Sequence, residues 1–118
     1  MERTLTVTIS DDAKSRVKAL FNQAVTSGEY QGEYLNFATP DLFFSKLSDK
    51  RWTLVKTLQG AGEVGVRELA RRVGRDVKRV HEDAAALVEL GLIERNARGA
   101  LACPYADIHV DMHLRRAA

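Results

Sequence analysis

The sequence predicts a mainly α-helical fold that contains a small amount of β-structure. Apolar residues recur at helical spacing through most of the chain, whereas apolar–polar alternation is confined to the two ends and to one short hairpin. The chain has 118 residues, of which 45% are hydrophobic and 29% are charged. These values are typical of one globular domain and exclude general disorder.

Residues 1–45 are predicted to form a strand–helix module that serves protein interaction or dimerisation. Apolar residues alternate with threonines in residues 4–10, which predicts a strand. A helical apolar stripe follows in residues 13–25. Residues 29–37 predict a turn and a short strand, and the pair Thr39-Pro40 is typical of the start of another helix.

Residues 46–104 are predicted to form a winged helix-turn-helix. Helical periodicity occurs in residues 49–59, 66–73 and 77–90, and a β-hairpin pattern follows them. The link around Gly74 is too tight for an antiparallel helix pair, so the third helix should cross the second. Residues 105–118 alternate again, which predicts a C-terminal strand and tail.

Positive charge is concentrated in one segment. Residues 65–81 carry six basic and two acidic side chains, whereas residues 1–64 carry eight of each and residues 82–118 carry four basic and six acidic. A local basic stripe is typical of a surface that binds phosphate. The alternative is an ordinary solvated helix face.

The outer face of the third predicted helix suits insertion into a DNA major groove. This face carries two cations in its N-terminal half, and small alanines at positions 85 and 86 follow them. With cations of the preceding helix and the hairpin tip, the predicted DNA-binding residues are Arg67, Arg71, Arg75, Lys78, Arg79, Glu82, Asn96 and Arg98.

Several short runs occur in a fixed order: Lys50-Arg51-Trp52, Arg67-Glu68-Leu69-Ala70-Arg71-Arg72, Gly74-Arg75-Asp76 and Glu89-Leu90-Gly91-Leu92-Ile93-Glu94-Arg95. This set resembles a family of small prokaryotic winged helix-turn-helix DNA-binding proteins, whose DNA-binding half is similar to that of MarR-type regulators. The resemblance implies sequence-specific regulation of transcription. Family members are often encoded beside a toxin-like protein, which implies an antitoxin that regulates its own operon. The wing departs from the family pattern because Arg98-Gly99-Ala100 is short.

The sequence also predicts partners other than double-stranded DNA. A single winged helix reads few base pairs, which favours a homodimer. The two terminal strands each need a cover for an apolar face, and pairing within one chain or between two chains would supply it. Tyr30 and Tyr34 are the candidates for contact with a partner protein, and the family resemblance implies that this partner is a toxin. The alternative function is a winged-helix module that binds a partner protein without DNA.

No enzyme activity, cofactor or metal is expected. Gly60, Gly62 and Gly65 match G-x-G-x-x-G, but the motif follows a helix and not the strand of a βαβ unit. The alternating face of His109, Asp111 and His113 lacks a fourth metal ligand. One cysteine, no secretory signal and no apolar span predict a cytoplasmic protein that associates with the nucleoid when bound to DNA and makes no membrane contact.

Overall fold

The computed structural model describes residues 2–10 and 32–114. In chain order, the elements are β1 (Arg3–Ile9), β2 (Glu33–Phe37), α1 (Pro40–Lys46), α2 (Asp49–Leu58), α3 (Val66–Val73), α4 (Val77–Leu90), β3 (Glu94–Arg95), β4 (Leu101–Ala102) and β5 (Tyr105–Asp111). The helix predicted in residues 13–25 and the predicted contact residue Tyr30 lie outside the described residues. None of the described helices is both long and apolar enough to cross a membrane.

The described residues form a mixed α/β fold, with more β-structure than the expected mainly helical class. The chain divides into two compact units. The terminal unit consists of Arg3–Ser45 and Asp107–Ala118, and the central unit is Lys46–Ala106. The strands predicted near the two ends of the chain account for this mixed class, because segments far apart in sequence meet in one three-stranded sheet of order β2-β1-β5.

The sheet of the terminal unit is specified by side chains at both ends of the β1–β2 pair. These strands are parallel, with Leu5 opposite Glu33 and Ile9 opposite Phe37. At one end the guanidinium of Arg3 donates to Glu33 at 2.6 and 2.9 Å. Near the other end, the hydroxyl of Thr8 donates to Oδ1 of Asn36 at 2.7 Å. Since β1 also neighbours β5, the two terminal strands pair within one chain.

The central unit follows the predicted order of three helices and a hairpin. Its core is formed by side chains that are almost completely buried: Leu54, Val55, Leu58, Leu69, Val80, Ala84, Leu87, Leu92, Ile93 and Leu101. Helix ends follow local sequence signals, since Ser48 and Asp76 cap α2 and α4 with their side chains. Gly74 and Gly91 adopt φ values of 68° and 89° after α3 and α4, a conformation that glycine tolerates best.

Candidate nucleic-acid interface

The solvent face of α4 begins with two unneutralised cations. Asp76 starts the helix by accepting a hydrogen bond from the backbone N–H of Arg79 at 3.3 Å. Lys78, Arg79 and Glu82 are exposed, and the first turn contains no acidic residue. The side chains of Lys78 and Arg79 pair with no other described residue. Both cations are therefore available to an external anion.

A basic cleft of about 440 Å³ lies beside this face, within the central unit. We call it the basic cleft and define it by its lining residues: Gly65, Val66, Arg67, His81, Arg95, Arg98, Gly99 and Ala100. It brings together the first turn of α3, one side chain of α4 and the hairpin. Three arginines and no carboxylate are among the lining residues, and Arg67 and Arg95 form no ion pair with the described part of the chain. The cleft is thus suited to a negatively charged group.

The hairpin tip is built by Asn96, which the sequence assigned to DNA contact. Oδ1 of Asn96 accepts from the backbone N–H groups of Arg98 and Ala100, each at 2.9 Å. This carbonyl therefore shapes the turn and is committed to the protein itself. The Arg98 side chain is 81% exposed and donates to Oε2 of Glu63 at 3.0 Å.

Arg71 shares one carboxylate with Arg72 within α3. Glu68 accepts hydrogen bonds from Arg71 and from Arg72, three and four residues further along the helix. These bonds, first from Arg71 and then from Arg72, lower the pKa of Glu68 to about 2. The carboxylate stays ionised at neutral pH and offsets the positive charge of this face. Of the predicted α3 contacts, Arg67 is the one that keeps an unpaired cation.

Arg75 has a structural role in place of the predicted exposed phosphate contact. Its Nη2 donates to Oδ2 of Asp83 at 2.7 Å, and Nε of Arg51 donates to Oδ1 of the same carboxylate at 3.1 Å. All three side chains are about one-fifth exposed. Burial raises the pKa of Asp83, but the hydrogen bonds from Arg75 and Arg51 outweigh it and hold that pKa below its usual value.

The sequence interpretation missed Arg51 and Asp83 as a pair because they lie 32 residues apart. A local signal for Asp83 does exist. It lies three residues after Val80 and four before Leu87, on the buried face of α4. A carboxylate on such a face requires cationic partners, so its position predicts an internal ion pair.

The other residues that the sequence analysis considered are Tyr34, the face of His109, Asp111 and His113, and Cys103. Tyr34 is 40% exposed on β2. His113 lies 3.2 Å from Asp111, but the described residues contain no cluster of three or more potential metal ligands. Burial raises the pKa of the Cys103 thiol, which disfavours the reactive thiolate.

A family comparison covers the segment that contains this interface. The model of the HVO_A0114 family matches residues 46–110, more than half of the chain, and the chain therefore belongs to that family. No curated protein and no solved structure matches the chain.

Proposed function

We propose that this member of the HVO_A0114 family binds double-stranded DNA and regulates transcription. In this proposal α3 and α4 act as a helix-turn-helix and the β3–β4 hairpin acts as its wing. The observation that carries the proposal is the exposure of Lys78 and Arg79 on α4, which pair with none of the residues that the structure describes. Arg71 and Arg75 are ion-paired with carboxylates of the central unit, whereas Lys78 and Arg79 form no ion pair with a described residue.

The geometry of α4 supports insertion into a major groove. Val80, Ala84 and Leu87 bury one face of the helix, so the opposite face projects from the central unit. That face continues with the small residues Ala85 and Ala86, which permit close approach of a base edge. An α-helix with its side chains is roughly 10–12 Å in diameter, which matches the major-groove width of about 12 Å, and the 14 residues of α4 extend over roughly 21 Å.

The direct test compares two double variants that remove the same charge. Lys78→Ala/Arg79→Ala changes the proposed interface, and Lys50→Ala/Lys56→Ala changes exposed lysines on α2. Fluorescence anisotropy with a duplex from upstream of the gene would measure Kd across a salt series. We expect the first variant to weaken binding about tenfold or more and to reduce the salt slope by about 1–2, because each lost phosphate contact contributes about 0.9. Equal effects of both variants would contradict the proposal.

Homodimerisation is part of the same proposal. Two copies of α4 would read an inverted repeat whose half-sites lie about 10 bp apart, or a multiple of that distance. β1 and β5 pair within one chain, so the apolar faces of the two terminal strands do not require a second chain. The argument for a dimer therefore rests on the small number of base pairs that one α4 would read. Sedimentation of the protein with and without its DNA site would test the stoichiometry.

A separate observation favours a second candidate function, contact with a partner protein. The terminal unit exposes Tyr34, Leu42 and Phe44 to 40%, 44% and 58%. Exposed aromatic and aliphatic side chains are frequent anchors of protein interfaces. The antitoxin role implied by the family resemblance would use such a surface. Co-purification of the full chain with the product of the neighbouring gene, compared with a Tyr34→Ser/Phe44→Ser variant, would test it.

A further inference from the structure

We propose that the basic cleft binds one backbone phosphate of the DNA, and that Glu63 holds Arg98 away from this role until the phosphate replaces it. This inference rests on the proposed function and assigns a second, distinct part of the same interface. In this inference Glu63 lowers the affinity for DNA by pairing with Arg98, and Glu63 does not contact the DNA.

The composition of the cleft specifies an anionic ligand. Arg67 enters from the first turn of α3 and Arg95 from the hairpin, and neither is neutralised by a described side chain. The N-cap residue of α3 is Gly65, which has no side chain that could accept hydrogen bonds from the first backbone N–H groups of the helix. Arginine guanidinium groups and backbone N–H groups are frequent phosphate ligands in protein–DNA complexes.

The location of the cleft identifies that anion as part of the DNA. His81 lines the cleft and lies three residues after Lys78 on α4. Residues at this spacing are neighbours on a helix surface, about 5–6 Å apart at Cβ. A duplex that contacts Lys78 therefore brings its backbone to the mouth of the cleft.

The Glu63–Arg98 ion pair is placed to compete with this phosphate. The two side chains are bonded at 3.0 Å and remain 55% and 81% exposed. Exposed pairs of this kind contribute little free energy, so a phosphate that offers charge-assisted bonds displaces the carboxylate readily. The backbone of Arg98 is held by the Asn96 turn, and the exchange requires movement of the side chain alone.

The test uses substitutions that remove charge and conserve shape. Glu63→Gln should tighten DNA binding about threefold, because phosphate no longer has to open an exposed ion pair. The matched control Glu89→Gln removes the same charge about 12 Å further along α4 from His81 and should leave Kd unchanged. In an Arg98→Gln background, Glu63→Gln should have no effect, since the carboxylate then has no cleft arginine to withhold.

The outcomes separate this inference from the proposed function. If Glu63→Gln tightens binding equally with and without Arg98, Glu63 simply repels DNA, and the competition mechanism is wrong. If Lys78→Ala/Arg79→Ala weakens binding while Arg95→Gln and Glu63→Gln change nothing, the α4 interface stands and the phosphate site is wrong. If the wild-type protein binds no duplex at any salt concentration, both proposals fail. Circular dichroism of each variant would establish that it is folded.

Discussion

Asp83→Asn should destabilise the central unit strongly, whereas the matched change Glu68→Gln should not. Each carboxylate accepts hydrogen bonds from two arginines. Asp83 joins Arg51 and Arg75, which lie 32 and 8 residues away in the chain. Glu68 accepts its hydrogen bonds from Arg71 and Arg72, which lie within one turn of it on α3, and all three side chains are exposed to solvent. The first network therefore joins α2 to the middle of α4 and to the link between α3 and α4, whereas the second joins residues of α3 alone.

The magnitude follows from the bonds lost and the exposure of the network. Each hydrogen bond to a charged group contributes roughly 1.5–3 kcal/mol. Asparagine would keep one such bond, from an arginine to its amide oxygen, whereas its NH2 group is a donor and would face the second guanidinium without forming a bond. The Asp83 and Arg75 side chains are each 20% exposed, so solvent screening reduces the difference. We expect Asp83→Asn to lower the free energy of unfolding by roughly 2 kcal/mol, which lies between about 0–1 kcal/mol for an exposed ion pair and about 3–5 kcal/mol for a broken buried pair.

Trp52 provides the assay because it is the single tryptophan and lies on α2 next to Arg51. Urea unfolding followed by its fluorescence should show a midpoint for Asp83→Asn that is lower by about 1 M, given typical urea dependences of about 1–3 kcal/mol per molar. Glu68→Gln should unfold close to the wild-type midpoint. An unchanged midpoint for Asp83→Asn, or an equal shift for both variants, would refute the structural role assigned to Asp83.

Two further predictions concern acid stability and backbone conformation. The lowered pKa of Asp83 means that its stabilisation is present above the unfolded-state pKa of about 3.9 and is lost as the pH falls through the folded-state pKa. The difference in urea midpoint between wild type and Asp83→Asn should therefore become smaller as the pH is lowered below about 4. A difference that stays constant with pH would contradict the assigned role of the ionised Asp83 carboxylate. Gly32→Ala should destabilise the terminal unit by more than the roughly 1–2 kcal/mol that the left-handed φ alone costs, because a Cβ there would also lie 2.8 Å from Oγ1 of Thr4. The control Gly60→Ala has a similar φ of 72° with no atom within 4 Å, and thermal unfolding by circular dichroism would compare each with wild type.

The helices of the central unit were predictable because their limits are set by local chemistry. Ser48 and Asp76 supply capping oxygens, and Gly74 and Gly91 supply the left-handed residues that end α3 and α4. Such signals act over three or four residues and are visible in the sequence. The sheet order of the terminal unit depends on pairing between residues more than 20 positions apart, and apolar alternation predicts a strand without identifying its neighbour.

The candidate site was predictable in part for the same reason. Helical periodicity placed Lys78 and Arg79 on the outer face of α4, where the structure also has them. The same reasoning assigned Arg75 to this surface. The spacing of residues in the sequence does not reveal that the Asp83 carboxylate lies 2.7 Å from the Arg75 guanidinium. The basic cleft was absent from the sequence interpretation as a unit, since its arginines come from α3 and from the hairpin.

The position of the unpaired cations is itself an argument for function. Arg67 is the second residue of α3, and Lys78 and Arg79 are the second and third residues of α4. Cations in a first helical turn oppose the helix dipole and destabilise the helix by roughly 0.3–1 kcal/mol each. In α4 the Asp76 cap supplies the only negative charge at that end among the residues described, since the first turn has none. The first turn of α3 does contain Glu68, so the argument applies to α4. Carboxylates in its first turn would stabilise that helix, and the two cations found there instead support the proposed role of Lys78 and Arg79 as ligands of an anion.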